Sequence, residues 1–235
     1  MSKHILVVGG STGIGLALIH ELLHEGYKIH TMCRHRGEIP DDPSCHFYEF
    51  DIEGTGVKYP DIKEHFDGLV YLPGTITMKP FRSLSDQDFL HDWQLNFLGA
   101  VRVIRHYFPN LEKSEQASIV LLGSVAADQG IPFHTSISAA KGAVEAFTRS
   151  LAAEYAPKIR VNAVSPSLTE TPLSEKITSN EERKEKTAKR HPMQRIGHPE
   201  DIASVIKFLL SDESSWITGQ TMHSDGGLST IKLLT

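Results

Sequence analysis

The residue types that could do chemistry begin with glycines. The stretch VGGSTGIGLAL places Gly9, Gly13 and Gly15 directly after an apolar run and at the start of an amphipathic one. Glycines there allow a tight turn and let the backbone approach a phosphate. A following helix aims its first amides and the positive end of its dipole at that anion. A glycine cluster alone serves any turn, but this strand-to-helix context predicts nucleotide binding. Further on, MCRHRG sets Cys33 where a ribose-reading acid would stand, then Arg34, His35 and Arg36. Arginines suit a 2′-phosphate through charge-assisted, bidentate bonds. NADP(H) is therefore the preferred cofactor and NAD(H) the alternative. Asp51, in FDI, could accept a bond from an adenine amino group. One decoy is HELLH, His20 to His24, which fits the zinc-peptidase pattern. Its helix opens from the phosphate loop, its leucines are wanted for packing and no third ligand is evident, so no metal is expected.

These groups need a frame. A chain of 235 residues, with 40% hydrophobic and 23% charged residues, suits one α/β domain. A net charge of -5 offers no general attraction to nucleic acid. The two cysteines, Cys33 and Cys45, lack disulfide-framework and zinc spacing, which predicts reduced thiols in a cytoplasmic setting. The opening apolar run is too short for a signal core, and no apolar stretch approaches the ~18 residues of a membrane span.

Strand and helix patterns alternate throughout. HILVVGG, YKIHTMC, CHFYEFDI, FDGLVYLPG, ASIVLLGS and IRVNAVSP read as strands, with a last short one within GQTMHSDGG. Helices are predicted after the glycine loop, over residues 85–111 with Ser85 as N-cap, over about 134–156, and over PEDIASVIKFLLS. This alternation predicts an α/β fold: a single Rossmann-type, doubly wound parallel sheet with helices on both faces. Residues 1–235 are read as one domain. The charge-mixed segment at about 167–195 is either a solvated helix or a lid over a substrate cleft.

With these motifs in order, the sequence resembles the short-chain dehydrogenase/reductase family over nearly its whole length. GGSTGIG, LNFLGA, GSVAADQG, SAAKGAVEAFTRSLAAEYAPKIRVNAVSP, ETP, MQRIGHPEDIA and ITGQTMHSDGG carry the likeness. The resemblance implies hydride exchange between a nicotinamide and a carbonyl or alcohol. It assigns Ser124 to the substrate carbonyl, Lys141 to the nicotinamide ribose and Asn96 to a water relay. It implies a cofactor set of Gly9, Ser11, Thr12, Gly13, Ile14, Gly15, Arg34, Asp51, Ile52, Gly74, Lys141 and Thr169. It also implies a homotetramer or homodimer, and a small-molecule substrate met by the partly apolar Ile131, Pro132, Phe133, Leu168 and Leu173. No nucleic-acid or membrane partner is expected.

The likeness breaks where the family has its proton-transferring tyrosine. Thirteen residues after Ser124 and four before Lys141 stands Ile137. Loss of a general acid costs ~10²–10⁴-fold in rate. At ~100° per residue, a helical position 134 would fall about 20° from 141, and 138 about 60° away. His134 is thus the first local substitute, if the helix reaches it, and Ser138 the second. A loop histidine at the cleft rim is the plainer reading of His134. Two turns also depart: YLPG carries Leu72 and Pro73 in place of an asparagine-rich turn, and Ser167 replaces a glycine. The expected function is an NAD(P)-dependent oxidoreductase with an atypical active site. The alternative is a non-catalytic NADP-binding scaffold or sensor.

Overall fold

In the computed structural model, which describes residues 2–54 and 56–232, the apolar runs form one parallel sheet. Its strands are β1 (His4–Val8), β2 (Lys28–Cys33), β3 (Cys45–Glu49), β4 (Gly68–Tyr71), β5 (Ala117–Leu122), β6 (Ile159–Pro166) and β7 (Thr221–Ser224). They lie in the order β3-β2-β1-β4-β5-β6-β7, and every pairing is parallel. Successive strand residues face opposite sides, and here both sides are apolar. Ile5 and Val7 join a core with Leu18, Ile19, Leu22, Ile202 and Ile206, whereas Leu6 and Val8 join one with Val103, Ile104, Tyr107 and Val144. Helices α1 (Gly13–His24) and, near the C-terminus, Pro199–Leu210 therefore cover one face, while Gly99–Leu111 and Thr135–Tyr155 cover the other. This is the doubly wound arrangement that the alternation predicts. The strand order reverses between β1 and β4, so a crevice opens beyond their carboxyl ends.

The single helix predicted over residues 85–111 is three pieces. Helix α2 (Asp86–Trp93) begins in a reciprocal capping box between Ser85 and Asp88. A π-helical turn spans Gln94–Leu98, and α3 (Gly99–Leu111) follows. The cause lies at Asn96, whose Nδ2 donates to the Asp92 carbonyl, four residues back, at 2.9 Å. A side chain inserted into the i→i−4 ladder widens the turn locally.

Two further elements refine the sequence reading. After the short α4 (Val125–Asp128), α5 (Thr135–Tyr155) starts one residue past His134. His134 is its N-cap, at φ −108° and ψ 14°, and Phe133 just before it is left-handed at φ 69°. The segment after β6 forms a short turn at Pro172–Ser174, α6 (Glu175–Thr178) and α7 (Glu181–Ala188), ahead of α8 (Pro199–Leu210). Helix α7 buries no residue, as the solvated-helix reading of its charges expects.

Candidate active site

A cleft of about 500 Å³ lies over the carboxyl ends of β1, β2 and β4. Its floor is the turn from β1 into α1: Gly9, Ser11, Thr12, Gly13, Ile14 and Gly15 all line it. A Cβ on Gly15 would collide with the Gly9 carbonyl oxygen. The chain folds back on itself too tightly there for any side chain. Thr12, the N-cap of α1, makes no side-chain capping bond. The first amides of the helix are thus available to an anion.

The end of β2 forms one wall. Burial pushes the Cys33 thiol up, above its ordinary range, so this position carries no anion near neutrality. Arg34 follows on the cleft wall, exposed, and among the described residues it pairs with no carboxylate. Arg36 instead is held by Asp41 at 2.9 Å. Asp51 and Ile52, after β3, form the opposite wall, with Ile52 buried against Phe50. Gly74 and Leu122 close the far end.

The reactive groups implied by the resemblance stand just behind that far end. Lys141 donates to the Leu122 carbonyl at 2.8 Å and is 6% exposed. Burial pulls its amine down to about 8, against the opposing attraction of Asp92 and then Glu145. Gly74 leaves room for both neighbours: a Cβ on it would lie 2.8 Å from Asn96 Oδ1 and 3.5 Å from Lys141 Nζ. Ser124 caps α4, its Oγ accepting from the Ala126 amide at 3.2 Å. That bond uses a lone pair and leaves the hydroxyl proton free. Ile137 is 4% exposed, on the first turn of α5, and offers neither donor nor acceptor.

The structure therefore brings together Gly9, Ser11, Thr12, Gly13, Ile14, Gly15, Arg34, Asp51, Ile52 and Gly74 as walls of one cleft, with Asn96 and Lys141 at its end. Three other predicted residues, Ser124, Thr169 and His134, are not among the cleft walls. Thr169 is buried away from the cleft, its Oγ1 donating to the Ser167 carbonyl and its backbone bridged to Gly197. Thr171, Pro172 and Leu173 reach the cleft in its place, with Thr171 against Gly13. His134 lies outside the cleft walls. The helix does not extend to it, and its Nδ1 is tied back to the Pro132 carbonyl at 2.8 Å. Ser138 is also committed, donating to the Ala126 carbonyl at 2.6 Å. Within the decoy, Glu21 is paired with Lys207 at 3.1 Å.

Sequence reasoning missed a second layer. Buried Asp92 and the half-buried Thr75 and Thr77 form a cluster beside Asn96. The available signal was spacing: Asp92 lies four residues before Asn96, on the same helical face. The pairing of Ser167 with His191, at 2.9 Å between Oγ and Nε2, had no signal at 24 residues' separation.

Comparison with known proteins agrees with this geometry. A family model described as enoyl-(acyl carrier protein) reductase matches residues 57–229. A chloroplastic tropinone reductase homologue from Arabidopsis thaliana is 31% identical over 240 residues, covering 95% of this chain and 74% of its own. One from Datura stramonium is 30% identical over 243 residues, covering 94% and 90%. Among solved structures, the ligand-free aldohexose dehydrogenase of Thermoplasma acidophilum superposes with a TM-score of 0.87 at 29% identity, over 100% of this chain and 96% of its own. ElxO with NADP bound gives 0.85 at 26% identity, over 97% and 99%.

Proposed function

The chain belongs to the short-chain dehydrogenase/reductase family, and from that premise we propose an NADP(H)-dependent oxidoreductase with an atypical reactive end. The observation that carries this reading is the continuous cleft. It runs from uncapped helix amides, past an unpaired Arg34, to Gly74 and Leu122 beside Lys141. Arg34 next to a neutral thiol suits a 2′-phosphate better than a bare ribose. The structural neighbour ElxO, with NADP bound, shows that this fold can take NADP. NAD(H) is the weaker alternative.

A bound nicotinamide would supply or accept the hydride. Ser124 would donate its free proton to the substrate oxygen. Lys141 would hold the ribose, with Asn96 behind it. Ile137 takes the place of the family's tyrosine and can move no proton. His134 is the nearest replacement by sequence. Its Nδ1–H donates to Pro132, which leaves Nε2 as the free nitrogen. As an acid, it would have to act from the rim in its imidazolium form.

One domain, with residues 167–195 as a lid, fits the segment that brings Thr171 to Leu173 over the glycine loop. The substrate is a small, partly apolar molecule, since Phe133 and Leu173 are exposed large apolar groups on that side. Exposed Leu90 and Trp93 on α2 fit a homotetramer or homodimer, which light scattering would read directly. Among the described residues no helix is long and apolar enough to cross a membrane, and the two buried free cysteines fit the cytoplasm.

The second reading, a non-catalytic NADP-binding scaffold or sensor, is favoured by the burial of Ile137 and the retreat of His134. One experiment separates the two. NADPH binding is titrated, and NADPH consumption is followed with a panel of carbonyl compounds for wild type, Ile137→Tyr and His134→Ala. Wild-type turnover that His134→Ala removes without weakening NADPH binding supports the oxidoreductase. An inert wild type whose Ile137→Tyr variant gains ~10²-fold or more in rate, about 3 kcal/mol of barrier, supports the scaffold. Absence of NADPH binding ends both.

A further inference from the structure

We infer that Asp92 is the fixed counter-charge of Lys141, a positioning residue that acts on the ribose-side cation through a buried polar cluster. The inference rests on the reading of Lys141 given above. Asp92 is completely buried. Thr75 and Thr77 both donate to its Oδ1, from Oγ1 atoms at 2.5 and 2.8 Å. Its Oδ2 has no hydrogen-bond partner among the described residues. An ionised carboxylate so placed is costly unless a nearby positive charge compensates it.

That charge is Lys141. Its ammonium has three protons, and the structure gives it one acceptor, the Leu122 carbonyl. The path between the two groups is short and entirely polar. Asn96 Nδ2 donates to Thr75 Oγ1 at 2.8 Å and to the Asp92 carbonyl at 2.9 Å. Its Oδ1 lies on the other side, where it shares with Lys141 Nζ the space left by the missing side chain of Gly74. Asp92 thus fixes Thr75, Thr75 fixes Asn96, and Asn96 Oδ1 and Lys141 Nζ border the same space at Gly74 without bonding each other directly.

Other charged groups near Lys141 are few. Glu145 lies one turn along α5, but it accepts from Ser165 Oγ at 2.7 Å, and burial raises its own carboxyl towards the neutral form. Asp128 on α4 is paired with His223 at 2.7 Å. Strand β5 offers only the Leu122 carbonyl. Asp92 is the larger of the two carboxylate influences on the amine, Glu145 the smaller. The competing view is that Asp92 only staples residues 75–77 to α2. A staple would affect stability and leave the ionisation of Lys141 where it is.

The test reads that ionisation directly. The Lys141 Cε resonance, identified by its loss in Lys141→Arg, is followed from pH 6 to 11 in cofactor-free protein carrying ¹³C-labelled lysine. Wild type should titrate near 8. Asp92→Asn removes the charge at constant shape, so the midpoint should fall by about one unit, and Glu145→Gln should move it less. Asp92→Ser, which keeps a hydroxyl for the two threonines, replaces the amide variant should that fail to fold. A midpoint unmoved in the folded Asp92 variant, or moved more by Glu145→Gln, overturns the proposal. NADPH affinity against pH is measured on the same proteins. The alkaline weakening should begin at lower pH in Asp92→Asn. If wild type binds no NADPH at any pH while the resonance still shifts, the nucleotide reading fails and the counter-charge stands.

Discussion

At the β1–α1 end of the cleft, the groups that would meet a ligand are glycines, helix amides and Arg34, which pairs with no carboxylate among the described residues. At the α5 end, the buried Ile137 stands four residues before Lys141. Both ends rest on the same sheet, with α1 and α5 each packed on a buried apolar core. The difference is therefore chemical and local. A nucleotide site needs backbone shape and fixed charge, which the first end keeps. Proton transfer in the proposed reaction needs a donor, and Ile137 offers none; Ser124, Asn96 and Lys141 are the polar groups the resemblance assigns to that end. On the proposed function, binding and turnover belong to different ends of the cleft and can be tested separately.

The largest effect should come from breaking the first end. Gly15→Ala drives a methyl into the Gly9 carbonyl, against backbone that cannot move aside. It should destabilise by about 3 kcal/mol and abolish NADPH binding. Urea unfolding and a fluorescence titration read the two effects. If the variant binds NADPH normally, the glycine loop is not the site, and the contrast between the ends collapses.

Acid should attack the same end next. His30 on β2 is 1% exposed, between His4 and Tyr48, with ring nitrogens 3.3 Å from each partner. Burial is the main cause that pulls it down to about 4. Glu64 opposes, and His46 and His4 add to the lowering. The unfolded chain takes up this proton near 6.5, so it binds more protons than the folded chain between 6.5 and 4. The stability linked to neutral His30 is complete above about 6.5, falls as pH drops, and is lost in full below about 4. The loss is roughly 2 kcal/mol at pH 5. Comparing urea midpoints at pH 7.5 and pH 5 for wild type and His30→Leu checks it, since the variant should lose that much less. Strand β2 ends at Cys33, just before Arg34, so acid loosens a strand that leads into the nucleotide end, whereas Lys141 changes charge only on the alkaline side.

What was legible follows the same division. The central strands could be read because they are runs of largely apolar residues buried on both faces, a pattern that survives without knowledge of tertiary contacts, whereas the edge strands β3 and β7 are only partly buried. The glycine loop could be read because its constraint is covalent and local. The break at Gln94–Leu98 could not. It comes from one side-chain bond, Asn96 to the Asp92 carbonyl, inside a sequence whose apolar period continues undisturbed. Asp92 reads as one more polar residue on an exposed face, because its burial depends on Thr75 and Thr77 arriving from another strand end. His134 stands one residue before the helix, as its plainer reading as a loop residue has it. The left-handed Phe133 ends the turn late, and a helix start is set by backbone angles that residue types only weakly prescribe.

A smaller effect sharpens the cofactor side. Arg34→Ala should weaken NADPH binding about 10-fold, the loss of one charge-assisted contact, and leave NADH binding nearly unchanged. Parallel titrations with both nucleotides read it. Equal loss for both would mean that Arg34 contacts something other than a 2′-phosphate, and NAD(H) would become the better candidate.

The smallest effect tests whether the second end is intact as a scaffold. Ser85 caps α2 by accepting from the Asp88 amide, while Asp88 Oδ2 accepts from the Ser85 amide at 2.9 Å. Lys79 and these bonds hold the Asp88 carboxyl down to about 2, so the cap stays charged at any working pH. Ser85→Ala should cost about 1 kcal/mol, read as a lower urea midpoint with an unchanged slope. Helix α2 carries Asp92 and leads directly into the turn that holds Asn96. If the second end were slack, a frayed α2 would also disturb Lys141, and the variant would show a displaced lysine titration along with its lost stability. A midpoint that falls while the Lys141 titration stays in place means the scaffold around Ile137 is held as firmly as the glycine loop. The missing hydroxyl is then the whole of the difference, and Ile137→Tyr is the substitution able to restore it.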